Sequence, residues 1–165
     1  MRYFIETLCF TVIFEAYLII LSRVQGNLRQ AYKYPPKVVE TVRSRRLIKE
    51  SRLQEISRIN KIIGFSLLLL MLYVIIAVIN KETVFGYALL QSLMMLSFLA
   101  IVDLVAIRCF WMCYSDIWII PGTEDIRGKY SDMMYYLKES KFLFAGVVIL
   151  SLISAGIISL ISNLF

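Results

Sequence analysis

Four apolar runs dominate the pattern along the chain, at residues 4–21, 62–79, 84–107 and 142–165. A helix rises 1.5 Å per residue, so about 20 mostly apolar residues cross a hydrocarbon core of about 30 Å. Each run therefore predicts a transmembrane helix. The second and fourth contain no charged residue, the third holds Asp103 near its end, and the first holds Glu6 and Glu15. Arg2 is the only basic residue ahead of the first run and no small-x-small site follows it. That run reads as a retained helix rather than a cleaved signal peptide. The expected fold is all-α, a single polytopic membrane domain over residues 1–165 with four spans.

Between the runs the pattern changes. Residues 23–61 open with RVQGNLRQAYKYPP, where Gly26 and the Pro35-Pro36 pair break regular structure. No Gly or Pro intervenes between Lys37 and Gly64, which predicts a helix running straight into the second span. Val39, Val42, Leu53, Ile56, Ile59 and Ile63 mark its apolar face at helical spacing, interrupted at Arg45-Arg46. Residues 108–141 begin with Phe110, Trp111, Tyr114 and Trp118, an aromatic belt expected at headgroup level. Pro121-Gly122 predicts a turn, Thr123 an N-cap, and Glu124 and Asp125 partners of the helix dipole. Ile126, Tyr130, Met133, Met134 and Leu137 then predict a short interfacial amphipathic helix lying along the membrane.

Composition agrees with a membrane protein. Of the 165 residues, 59% are apolar, against roughly 45–50% in soluble domains. The formal charge is +6, but its distribution says more. Residues 23–61 hold eleven Lys and Arg and residues 108–141 hold five, whereas Arg2 and Lys81 stand alone on the other side. The positive-inside rule places both long connections in the cytoplasm and both termini outside.

The first connection carries eleven cations against Glu40, Glu50 and Glu55, a local charge of +8. Arg43, Arg45, Arg46, Lys49, Arg52 and Arg58 are its candidate contacts for anionic lipid headgroups or an acidic partner, at about 1 kcal/mol per basic residue. The same charges also serve simply to anchor orientation. No nucleic-acid-reading motif accompanies them. The chain has no His, which excludes imidazole catalysis, and Cys9, Cys109 and Cys113 match neither a disulfide framework nor a zinc spacing. No cofactor is expected. Asp103, Glu124 and Asp125 form a candidate set of interfacial acids.

Depth singles out one carboxylate. Counting 1.5 Å per residue, Glu6 lies about 3 Å below the outer surface and Asp103 about 28 Å down, near Arg108. Glu15 lies about 17 Å down, where a carboxylate costs on the order of 2.5–3.5 kcal/mol. It should face other helices or water. Thr7, Thr11 and Ser22 share its face, no Lys or Arg matches its depth, and Tyr73, Ser97 and Ser151 are the depth-matched hydroxyls on the other spans. On the last helix Ser151, Ala155 and Ser159 form a small-residue stripe that admits a second backbone, from a membrane partner or a homo-oligomer.

The segment IWIIPGTEDIRGKY, followed by a Gly-bearing final helix, resembles a part of small uncharacterised bacterial membrane proteins, chiefly of Firmicutes. The resemblance covers residues 109–165. Where those proteins carry a lysine or arginine before Ile-Pro-Gly-Thr-Glu-Asp, this chain has Ile119. The resemblance implies a bacterial plasma-membrane location and no catalytic activity.

The functional expectation is a non-enzymatic accessory subunit or scaffold contacting anionic lipid or a membrane partner. The alternative is a small proton- or cation-coupled transporter using Glu15. Glu15 is similar to the membrane glutamate of small four-helix drug exporters, but the 39-residue first connection and the outside N-terminus depart from that family. An insertase-like core shares the outside N-terminus and basic cytoplasmic segment but lacks the buried cation of that groove. A lipid-modifying enzyme at the inner interface would use Asp103, Asp116, Glu124 or Asp125, which include no acid pair at a diagnostic spacing.

Overall fold

A computed structural model of the chain describes residues 1–164; Phe165, where the fourth apolar run ends, lies outside the described residues. All regular structure among them is helical. The long elements are α1 (Arg2–Gln25), α2 (Pro36–Ser44), α3 (Glu50–Tyr73), α4 (Phe85–Val102) and α5 (Met133–Leu164). Pi-helical stretches extend α3 over Val74–Ile79 and α4 over Asp103–Met112. Four helices are long and apolar enough to cross a membrane: Arg2–Gln25, Glu50–Ile79, Phe85–Met112 and Met133–Ser162. The last begins nine residues before the apolar run at 142, because the Met133–Lys141 stretch is already helical.

The bundle core joins Phe10 and Phe14 of α1, Leu72 and Ile76 at the α3 end, Met95 and Leu99 of α4, and Val147 and Ile158 of α5. Small residues set the α4–α5 contact. Ser154 Oγ donates to Ser92 Oγ at 2.8 Å, with Ala88, Ala155 and Ser151 fully buried nearby in the same core. The small-residue stripe is thus occupied within the chain, by α4, because missing side chains let the two backbones approach.

At the short-turn end a polar clamp closes the bundle. Arg2 Nε donates to Glu6 Oε1 at 2.8 Å, Asn80 Nδ2 to Glu6 Oε2 at 2.7 Å, and Arg2 Nη2 to Asn80 Oδ1. Glu6 is therefore satisfied by protein groups from α1 and the turn after Ile79.

At the other end the two long connections pack together into a cap with its own apolar core. Ala31, Tyr34, Val38, Val42 and Leu53 from the first meet Met112, Trp118, Ile120 and Tyr130 from the second. Tyr34 OH donates to the Trp118 carbonyl at 2.7 Å, and Asn27 Nδ2 to the Ile117 carbonyl at 2.6 Å.

Three sequence expectations are corrected here. The helix from Lys37 is not continuous: α2 ends at Ser44, Arg46 takes a left-handed φ of 54°, and α3 starts at Glu50. The bend lets Val38, Val42 and Leu53 enter one core, and this burial outweighs the roughly 1–2 kcal/mol cost of a left-handed non-glycine residue. The interruption in the apolar face at Arg45-Arg46 marks that bend. Trp118 leaves the expected aromatic belt and is buried in the cap, while Phe110 and Tyr114 stay exposed.

The interfacial amphipathic helix is absent. Residues Glu124–Lys129 form a 3-10 turn, and Met133, Met134 and Leu137 belong to α5. Thr123 stands at the N-cap position of that 3-10 turn, with Glu124 and Asp125 in its first turn, but its side chain caps no N–H: it is fully buried, and its Oγ1 donates to the Ile120 carbonyl at 2.7 Å. Tyr130 OH accepts the Ile120 N–H at 3.1 Å and donates to Thr123 Oγ1 at 2.6 Å. Three buried polar groups thus satisfy one another, which is why the chain turns inward rather than lying along the bundle.

Candidate functional site

Under the cap the four long helices splay around a cavity of about 360 Å³. Its walls combine Glu15 and Ser22 of α1, Asn60 of α3, Asp103 and Arg108 of the π stretch, and Tyr135 and Glu139 of α5. Gln30, Tyr32 and Lys33 enter from above on a 3-10 helix, Asn27–Lys33. That helix folds back because Gly26, at φ 79°, takes a conformation that suits glycine and reverses the chain after α1.

Asp103 and Arg108 are paired by helix register. Residues five apart stand apart on an α-helix of 3.6 residues per turn, but the i→i+5 bonding of a π stretch stacks them. Arg108 Nη2 lies 2.7 Å from Asp103 Oδ2, and Arg108 Nε donates to the same oxygen at 2.7 Å.

An amide network ties the lid to the bundle. Gln25 Oε1 accepts from Gln30 Nε2 at 2.8 Å and from Asn60 Nδ2 at 2.9 Å, while Gln25 Nε2 donates to Asn60 Oδ1 at 3.0 Å. Tyr32 OH accepts from Asn60 Nδ2 at 3.3 Å. The ends of α1 and α3 are thereby locked to the 3-10 helix.

Other polar groups in the walls have no such partners. Glu15 is 6% exposed, and among the described residues neither of its carboxylate oxygens meets a hydrogen-bond partner. Trp118 Nε1 is likewise buried without an acceptor. Lys33 is half-buried, and burial pushes its ammonium down to about 8 despite the favourable pull of Asp103. Charges of both signs therefore converge here, with Asp103 and Arg108 neutralising each other, Glu139 and Lys61 exposed to solvent, and Glu15 and Lys33 left withdrawn from it.

The depth-matched hydroxyls do not reach Glu15. Ser151 Oγ donates to the Val147 carbonyl of its own helix at 2.8 Å, as Ser22 does to Leu18 and Thr7 to Tyr3. Such back-bonding within a helix uses up the hydroxyl proton. Thr11 Oγ1 is buried without a partner, and Tyr73 and Ser97 are half-buried side chains of the bundle. Lys33, Gln25 and Asn60 complete the site without having been singled out from sequence, together with Arg108, noted there only as a neighbour of Asp103, and Trp118, assigned there to the aromatic belt. The one available signal for Lys33 was the Gly26 break, which permits a return towards α1.

The basic candidates divide. Arg43 Nη2 pairs with Glu50 Oε1 at 2.6 Å, and Arg45 pairs with Asp125, so both are engaged within the cap. Arg46, Lys49, Arg52 and Arg58 are exposed. Among the interfacial acids, Asp103 faces the cavity, Glu124 accepts the Gly122 N–H at 2.9 Å, and Asp125 holds Arg45, so the three do not converge. Comparison with protein-family models, curated proteins and solved structures found no match to this chain.

Proposed function

We propose that the chain is a non-enzymatic, multi-pass integral membrane protein of a bacterial plasma membrane, a scaffold whose cap contacts anionic lipid headgroups. The observation that carries this reading is the exposure of Arg46, Lys49, Arg52 and Arg58 on a cap folded at one end of four membrane-length helices. Sixteen of the eighteen Lys and Arg lie in the two long connections, residues 23–61 and 108–141, which by the positive-inside rule puts the cap in the cytoplasm and the termini outside. Along α3, Arg58 precedes the apolar residue Ile62 by about 6 Å and Arg52 by about 15 Å, within reach of a headgroup layer.

The test uses the full chain in phosphatidylcholine nanodiscs with or without phosphatidylglycerol. Anionic lipid should be retained by the purified protein and released by salt. Replacing Arg46, Lys49, Arg52 and Arg58 by Gln should weaken retention roughly fivefold per charge removed. Unchanged retention in that variant would exclude the basic face as the contact.

A second reading, a small cation- or proton-coupled transporter, is favoured by the cavity and its unpartnered Glu15. Counterflow measured in proteoliposomes, lost in Glu15→Gln, would establish it over the scaffold reading.

A further inference from the structure

The cavity under the cap holds two charged groups of opposite sign that are withdrawn from solvent without an ion pair, Glu15 and Lys33, while Glu139 and Lys61, again one of each sign, line it as exposed residues. Among the described residues both oxygens of Glu15 lack a donor although the residue is 6% exposed, and Lys33 makes no ion pair or hydrogen bond, its Nζ having only the Tyr32 ring centroid at 6.0 Å. Trp118, whose Nε1–H has no acceptor, stands in the same wall. Leaving such groups desolvated and unpaired is costly, and a ligand that satisfies them recovers that cost on binding.

The sign pattern selects the ligand. A simple cation would meet Glu15 but be repelled by Lys33, and a simple anion would meet Lys33 but be repelled by Glu15. Asp103 and Arg108 add no net preference, being paired with each other at 2.7 Å. We propose that the cavity binds a zwitterion bearing an N–H ammonium and an anionic group, the chemistry shared by a phosphoethanolamine headgroup and a free amino acid. Glu15 receives the ammonium, and Lys33 with the Trp118 indole receives the anion.

Three further features fit this assignment. The volume of about 360 Å³ lies at the small end of the range for small-molecule sites. The π stretch that shapes one wall is a device found at functional sites. A more open groove of about 950 Å³, with Val39, Leu53 and Ile62 on its apolar side, shares Tyr32, Lys61 and Tyr135 with the cavity and supplies an entry path. The inference goes beyond the basic-face reading and does not depend on it.

The experiment follows the fluorescence of the detergent-solubilised full chain, whose only tryptophans, Trp111 and Trp118, stack edge to face at 5.5 Å beside the cavity. O-phosphoethanolamine and glycine are titrated as ligands bearing both signs of charge, with ethanolamine and inorganic phosphate as controls bearing one sign only. In parallel, nanodiscs of phosphatidylcholine with or without phosphatidylethanolamine are read by native mass spectrometry. At least one zwitterion, soluble or lipid, should bind saturably. Glu15→Gln and Lys33→Met should each weaken it about tenfold to hundredfold, as should removal of either charge from the ligand. Binding of the soluble zwitterion alone identifies a solute site, and retention of phosphatidylethanolamine alone a lipid site; either supports the proposal. Failure of every zwitterion to bind the wild-type chain overturns it without reference to any variant. So does a ligand whose affinity falls in Glu15→Gln but not in Lys33→Met, which would be a plain cation. A Gln variant of Arg46, Lys49 and Arg52, which line neither the cavity nor the groove, should bind normally, so failure of the basic face is read separately.

Discussion

The guanidinium of Arg45 grips the carboxylate of Asp125 through two hydrogen bonds, Nη1 to Oδ1 at 2.7 Å and Nη2 to Oδ2 at 2.6 Å, across 80 residues of sequence. Arg45 Nη1 also donates to the Gly122 carbonyl at 2.5 Å. One side chain thus fastens the bend after α2 to the turn at Pro121-Gly122, with the planar fork geometry that favours arginine over lysine.

The latch should respond to acid. The Arg45 guanidinium holds the Asp125 carboxyl below its usual range. A depressed folded-state value contributes stability above the unfolded value near 3.9, which is lost as pH falls through the lower folded one. Protection of amides 120–130, measured by hydrogen exchange and corrected for intrinsic rates, should be flat from pH 8 to 5 and fall below about pH 4. Arg45→Gln should lower protection at pH 7 and remove most of that acid dependence, without unfolding the bundle.

Tyr130→Phe removes the hydroxyl that satisfies both Ile120 N–H and Thr123 Oγ1. The ring would still pack against Tyr34, whose centroid is 5.2 Å away, but a buried N–H would lose its acceptor. The expected loss is about 1–3 kcal/mol, seen as a lower thermal midpoint of the cap. An unchanged midpoint would mean that water replaces the hydroxyl.

Lys33 gives stability a slope at alkaline pH. Burial lowers its folded-state value to about 8 from 10.5, so between these values the unfolded chain binds a proton that the folded chain does not. Stability should therefore rise with pH across that window. Thermal midpoints taken from pH 8 to 10 should climb in the wild-type chain and stay flatter in Lys33→Met.

Glu15→Leu should stabilise the empty protein. It removes two buried acceptors without partners and adds apolar packing beside the Phe14 side of the core, for a gain of about 1–3 kcal/mol. Glu15→Gln, which keeps the polar volume, should change the midpoint less. A fall in the midpoint of the Leu variant would show that Glu15 has partners in solution, such as ordered water, that hold the helices together.

How much of this was readable in advance follows from the range of the forces. The four membrane-length helices and the bunching of positive charge are consequences of composition over windows of about 20 residues, and such windows need no knowledge of contacts. Gly122, at φ 86°, forms the turn that its pairing with Pro121 predicts. Glu15 stands out in its run for the same local reason, as a charge where length and hydropathy demand none.

Partnership is another matter. The hydroxyls at the depth of Glu15 were the natural partners by axial position, yet Ser151 bonds its own helix and Lys33 shares the cavity instead. Axial depth omits the direction in which a side chain points and the paths taken by the connections. The reversal at Gly26, the left-handed Arg46 and the π register that joins Asp103 to Arg108 decide those directions. Each is stabilised by burial or pairing with groups far away in sequence, so none is encoded in any one stretch. The sequence by itself determined which segments are long and apolar enough to cross a membrane and where the odd carboxylate lies. Only the tertiary structure decided that two polar connections share a core of Tyr34, Trp118 and Tyr130, because that core exists only once both have folded back on the same end of the bundle.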